Sequence, residues 1–134
     1  MRGQQRARGK ELGLWGLAFK PETDDIREAP SLYMIDDLLD KGAQITAFDP
    51  EAMTNVERKY GDKISFAKGM YEAIEGAEAL IISTEWSIFR TPDLSKVKDK
   101  MKNAVIFDGR NLYDVEDMKA EGFFYSSIGR KEVR

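Results

Sequence analysis

The chain has 134 residues, 42% of them hydrophobic and 34% charged, a size at which a single core buries roughly two-thirds of the unfolded surface. A formal net charge of -3 and a pI of about 5.1 provide no broad cationic surface for nucleic acid or an anionic membrane, so any bound phosphate must be held by a few placed groups. The chain has no Cys and no His, which excludes disulfides, thiolate metal sites, a Cys nucleophile and the usual general base. Asp and Glu could hold a hard cation such as Mg²⁺, but nothing else in the sequence argues for one.

Met1 to Lys10 carries four basic residues and almost nothing to bury, and reads as a tail whose positive charge could steer a phosphate ligand. It lacks the apolar run of a secretory signal, and no later stretch approaches the roughly 20 apolar residues of a membrane helix. The expectation is a cytoplasmic protein with one domain over residues 11–130 and a short tail at 131–134.

Within that domain the first strand is predicted over Leu12 to Ala18. Pro30 to Lys41 follows as a helix with Leu32, Ile35, Leu38 and Leu39 on one face, Pro30 near its start and Gly42 past its end. Next come a strand at Gln44 to Phe48, a weaker helix at Glu51 to Tyr60 and a short alternating strand at Ile64 to Ala67, suited to a sheet edge. A weak helix at Met70 to Glu75 precedes the strand Ala79 to Ser83. Thr91 can cap a helix that begins with Pro92, buries Leu94, Val97 and Met101, and ends near Asn103. The strand Ala104 to Phe107, a helix at Asp114 to Glu121 capped by Asp114 and stopped by Gly122, and the strand Phe123 to Ser127 complete the series. The runs Ala79-Leu80-Ile81-Ile82 and Ala104-Val105-Ile106-Phe107 are apolar on both faces, as interior parallel strands buried under helices must be.

This alternation predicts an α/β, Rossmann-like, doubly wound and mostly parallel sheet of about six strands with helices on both faces. Ligands in such folds bind beyond the carboxyl ends of strands, so the residues after Ala18, Phe48, Ser83 and Phe107 are the ones to test. Gly13-Leu14-Trp15-Gly16-Leu17-Ala18-Phe19-Lys20-Pro21 has the position of a dinucleotide fingerprint without its three-glycine spacing; Gly13 and Gly16 then serve close packing. Lys20 is a charge placed directly after a buried strand. Arg27 lies three residues before Pro30, where a guanidinium and helix amides could converge on phosphate, or it pairs with Asp24, Asp25 or Glu28. Asp24 and Asp25 read as loop-ordering acceptors. Trp86 and Phe89 either line a binding surface or close one end of the core, with the core favoured. Arg110, after Gly109, either grips phosphate or carbonyl oxygens with its planar fork or forms a salt bridge to Asp108 or Asp114.

Gly16-Leu17-Ala18-Phe19-Lys20-Pro21-Glu22-Thr23-Asp24-Asp25-Ile26-Arg27-Glu28-Ala29-Pro30, Phe48-Asp49-Pro50, Thr84-Glu85-Trp86 and Phe107-Asp108-Gly109-Arg110-Asn111 together resemble the carboxy-terminal domain of the nucleotide-sugar dehydrogenases. The resemblance covers about residues 10 to 130. The first segment is common to enzymes of UDP-glucose, GDP-mannose and UDP-N-acetylmannosamine, and the last two tilt the choice toward UDP-glucose 6-dehydrogenases. It implies an enzyme that converts UDP-glucose to UDP-glucuronate with two NAD⁺ through a thioester on a Cys, and a homodimeric full-length protein. By resemblance Phe19, Lys20 and Arg110 contact the nucleotide sugar, and Arg27 reaches NAD bound mainly by another domain. The family's NAD domain, dimerising helix and Cys segment have no counterpart in this chain, so the expectation is a binding domain that is inactive alone. The competing expectation is a stand-alone nucleotide-binding or regulatory module on the same fold.

Overall fold

The computed structural model describes residues 10–18, 25–26 and 29–127. In chain order these form β1 (Glu11–Trp15), α1 (Pro30–Asp40), β2 (Gln44–Phe48), α2 (Met53–Tyr60), β3 (Ser65–Phe66), β4 (Ala79–Ile82), α3 (Ser87–Arg90), α4 (Leu94–Lys100), β5 (Val105–Asp108), α5 (Val115–Ala120) and β6 (Phe124–Ser127), with 3-10 turns at Gly61–Lys63 and Glu72–Ile74. Every strand pair is parallel, and the six strands lie in the order β3-β2-β1-β4-β5-β6. The chain winds outward from β1 to one edge, returns to the centre, and winds outward again from β4. That reversal is the doubly wound topology, and it opens a crevice where the loops after β1 and β4 part.

Alternating side chains of the strands feed two cores. Leu14, Ile45 and Ala47 point to one face, where Leu32 and Ile35 of α1 and Val56 and Tyr60 of α2 cover them. Trp15, Leu80, Ile82, Ile106 and Tyr125 point to the other, against Ile74, Phe89, Val97 and Met118. Trp15 is wholly buried and stacks on Phe89 with ring centroids 5.1 Å apart, while its indole N–H donates to the Met70 carbonyl at 2.8 Å. Trp86 and Phe89 thus belong to the second core, as their apolar bulk suggests. Ile64 and the short β3 lie at an edge of the sheet, as expected of a brief alternating run.

Three local expectations are corrected. The helix expected to start at Pro92 under a Thr91 cap instead starts at Leu94, because the Asp93 side chain accepts from the Lys96 amide; a carboxylate three residues before an amide outcompetes the hydroxyl. Met70 to Glu75 contains only the 3-10 turn Glu72–Ile74, cut short by Gly76 at φ 72°. Phe107, expected to be buried in an interior strand, is 43% exposed. Its strand is interior, but α1 and α2 cover the half of that face near β1 to β3. Over β5 Phe107 meets the Phe124 ring edge-to-face at 6.0 Å. Among the described residues no helix is long and apolar enough to cross a membrane, and no three potential metal-ligating residues cluster.

Candidate functional site

The loop leaving β1 is clamped before it reaches the candidate binding residues. The Leu17 and Ala18 amides donate to Asp49 Oδ2 at 2.7 and 3.2 Å, and the Glu51 and Ala52 amides donate to Asp49 Oδ1, each at 2.8 Å. Trp86 Nε1 adds a fifth donor at 3.3 Å. The loop's carbonyls are held as well: Ser31 Oγ donates to Leu17 O at 2.7 Å, Ser83 Oγ to Gly16 O at 2.7 Å and Thr84 Oγ1 to Ala18 O at 2.9 Å. Gly16, at φ 98°, has no room for a side chain, since a Cβ there would stand 2.5 Å from Thr84 Cβ. A Cβ on Gly13 would come within 2.8 Å of Ile74. Both glycines therefore serve close packing.

Asp49 occupies the place, just past β2, where dinucleotide-binding folds present an acid to the ribose hydroxyls. Here the carboxylate is 0% exposed and its lone pairs are taken up by internal donors. The Asp49 carboxylate is thus already engaged within the protein, and the β1 loop lacks the three-glycine spacing of a dinucleotide fingerprint.

The loop after β5 is built differently. Asp108, 2% exposed, accepts from the Arg110 amide at 2.8 Å and the Leu112 amide at 2.7 Å, turning the chain back on itself. Asn111 completes the turn at φ 57°, a left-handed conformation that asparagine tolerates better than most residues. Tyr125 reaches across from β6 to donate to Asp108 Oδ2 at 2.6 Å. Tyr113 donates to the Phe89 carbonyl, and burial, followed by the nearby Asp108 charge, pushes its phenol well above the ordinary value of 10.0. It remains a neutral donor throughout the useful pH range.

This turn projects the Arg110 side chain outward, where Nη2 meets Glu85 Oε1 at 3.0 Å, while Arg90 Nη2 holds Glu85 Oε2 at 3.0 Å. Neither Asp108 nor Asp114, the partners considered from sequence, supplies this ion pair. Arg110 is one of the residues lining a cavity of about 510 Å³ at the carboxyl ends of β4, β5 and β6, walled also by Pro30, Met34, Ile81, Phe107 and Ser126. Arg110 is the one sequence-predicted site residue among those described, because Phe19, Lys20 and Arg27 lie outside them, as do residues 1–9 and 128–134. Sequence reasoning assigned no role to Asp49 or Glu85, although both lie in segments that carry the resemblance.

Comparison with known proteins agrees with this architecture. Residues 13–115 match the model of the UDP-glucose/GDP-mannose dehydrogenase family, UDP binding domain. The chain is 45% identical to the UDP-glucose 6-dehydrogenase of Pseudomonas aeruginosa, covering 95% of this chain and 29% of that protein. It is 42% identical to the UDP-glucose 6-dehydrogenase of Rhizobium meliloti, covering 93% and 28%. Among solved structures, a UDP-glucose dehydrogenase from Pyrobaculum islandicum superposes with a TM-score of 0.74 at 29% identity over 93% of this chain and 27% of that one. The chain thus spans under a third of the length of these relatives. The match over most of the six-stranded body, including both clamped loops, establishes that the chain belongs to the UDP-glucose/GDP-mannose dehydrogenase family as its UDP binding domain.

Proposed function

We propose that the chain is the carboxy-terminal UDP-sugar-binding domain of an NAD-dependent UDP-glucose 6-dehydrogenase that converts UDP-glucose to UDP-glucuronate, and that alone it oxidises nothing. The observation that carries this reading is Arg110, a residue on an anchored turn that lines the cavity at the carboxyl edge of the sheet and whose side chain is about one-third exposed. Its planar fork suits phosphate or carbonyl oxygens. In this reading Phe19 and Lys20 complete the contact with the nucleotide sugar, and Arg27 reaches NAD held mainly by an amino-terminal domain. The enzyme works as a cytoplasmic homodimer. The names of the two UDP-glucose 6-dehydrogenases that the chain resembles at 45% and 42% identity favour UDP-glucose over other sugars.

Inactivity of the isolated chain is expected from its lack of Cys, which leaves no thiol for a thioester, and from the missing three-glycine spacing beside an Asp49 already engaged by internal donors. Calorimetric titration tests the binding half of the proposal. UDP-glucose should bind the chain, and Arg110→Ala should weaken it about tenfold or more, the loss expected for a charged hydrogen bond. Thermal stability should change little, because an exposed ion pair is worth about 0 to 1 kcal/mol. Arg110→Lys should recover part of the affinity. Unchanged affinity with a lowered melting temperature would make Arg110 architecture, and tighter binding of UDP-N-acetylmannosamine or GDP-mannose would reassign the sugar. With NAD⁺ and UDP-glucose together, absorbance of reduced cofactor should stay flat; turnover that survives repurification would refute the inactive-domain reading.

A further inference from the structure

The contact between Glu85 and Arg110 joins two loops that are 25 residues apart in sequence and brought side by side by the pairing of β4 with β5. Glu85 stands between two buried anchors: Thr84, 1% exposed, which donates to the Ala18 carbonyl, and Trp86, 6% exposed, whose indole donates to Asp49. Its backbone is fixed from both sides while its carboxylate projects to the surface. One oxygen accepts from Arg110 and the other from Arg90, each at 3.0 Å. Arg90 is therefore a counter-charge that leaves the Glu85 carboxylate close to neutralised, so Arg110's positive charge is not cancelled by the pairing. The contact engages one terminal nitrogen of Arg110, and a guanidinium has five N–H donors in a fixed plane.

Resting on the reading of Arg110 as a ligand group, we propose that Glu85 is a positioning residue. It holds the Arg110 guanidinium in one orientation before a nucleoside diphosphate arrives, so that the remaining N–H groups already face the anion. Arginine otherwise loses much rotamer freedom when it is fixed by a ligand, and a pre-oriented fork avoids that loss at the moment of binding. The opposing effect is repulsion between the Glu85 carboxylate and the incoming phosphates. Arg90 and solvent screening reduce it, so orientation dominates.

The test uses UDP as the probe, titrated into the unaltered chain and its variants and followed by amide chemical shifts, with a thermal melt of each. Arg110→Ala should weaken UDP about tenfold or more. Glu85→Ala should weaken it about threefold to tenfold without moving the melting temperature. Glu85→Gln, whose side-chain oxygen still accepts from Arg110, should stay within about twofold of the unaltered chain. If Arg110→Ala weakens UDP but Glu85→Ala leaves binding unchanged or tightens it, Glu85 is a bystander or a competitor and the proposal fails alone. Glu85→Gln no better than Glu85→Ala also overturns it, because the loss would not track acceptor geometry. If Arg110→Ala has no effect, or the unaltered chain shows no UDP-dependent shifts, the reading of Arg110 fails and takes this proposal with it.

Discussion

Asp49 follows β2 and Asp108 closes β5, and their carboxylates are 0% and 2% exposed. The first gathers amides from the β1 loop and from the start of α2, plus an indole from the β4 loop. The second gathers amides from its own turn and one phenol from β6. Asp49 therefore ties three separate segments of the carboxyl edge into one block and offers nothing to a ligand. Asp108 shapes a single turn whose product is an outward-facing Arg110. The same residue type at equivalent places in a doubly wound sheet makes one half of the edge a strut and the other a mount. What decides between these roles is where the donors come from.

The largest effect should come from Asp49→Ala. It leaves five donors without their acceptor, four of them buried, and we expect a loss on the order of 4 kcal/mol, or more than about 10 °C in melting temperature. Asp49→Asn should fall between, since the amide oxygen still accepts but its NH₂ faces donors. A melting shift of only a few degrees for Asp49→Ala would remove the strut. Gly16→Ala comes next: at φ 98° its Cβ would meet both Thr84 Cβ and the Thr84 amide nitrogen, at 2.5 and 2.6 Å, and a cost of about 3 kcal/mol is expected. Urea midpoints would measure it, and Thr84→Ser, which removes only the methyl group, should recover little because the backbone contact remains.

Alkaline pH probes the two halves with the smallest perturbation. Burial, with Asp36 adding to it, raises the Tyr60 phenol of α2 above 10.0, and burial with Asp108 does the same for Tyr113. The folded state holds these protons more tightly than the unfolded state, so stability is intact below about pH 10 and falls as pH rises beyond it. Urea midpoints at pH 8, 10 and 11 should decline slightly by pH 10, where unfolded phenols are half ionised, and mostly across the last step. Tyr60→Phe and Tyr113→Phe should each flatten that decline. A flat response to pH 11 in the unaltered chain would show that neither phenol is protected.

All six strands were legible in the sequence because runs such as Ala79-Leu80-Ile81-Ile82 are too apolar and too short to be anything else in a chain of alternating elements. The helix at Pro30 was equally plain from its proline, its apolar face and Gly42. The exposure of Phe107 was not legible, since periodicity shows that a residue is apolar and says nothing of whether a helix happens to lie over it. The short helix Ser87–Arg90 left no periodic trace in four residues. Arg110 stood out as a charge after a buried strand, but its partner was sought among Asp108 and Asp114, its neighbours in sequence. Glu85 became visible only when β4 and β5 were laid side by side, because contacts across parallel strands are set by topology and not by spacing along the chain.

The block around Asp49 also bears on how quickly the molecule can assemble. Three of its five ties join residues 31 to 37 positions apart, and the hydroxyls of Ser83 and Thr84 reach back across 67 and 66 positions to Gly16 and Ala18. Each such tie must wait for a long loop to close, and a parallel sheet offers few local contacts to help. The strut is thus a late arrival on the folding path, and weakening it should hasten unfolding far more than it slows refolding. The part of the sheet edge that contributes most to holding the native state together would contribute least to finding it.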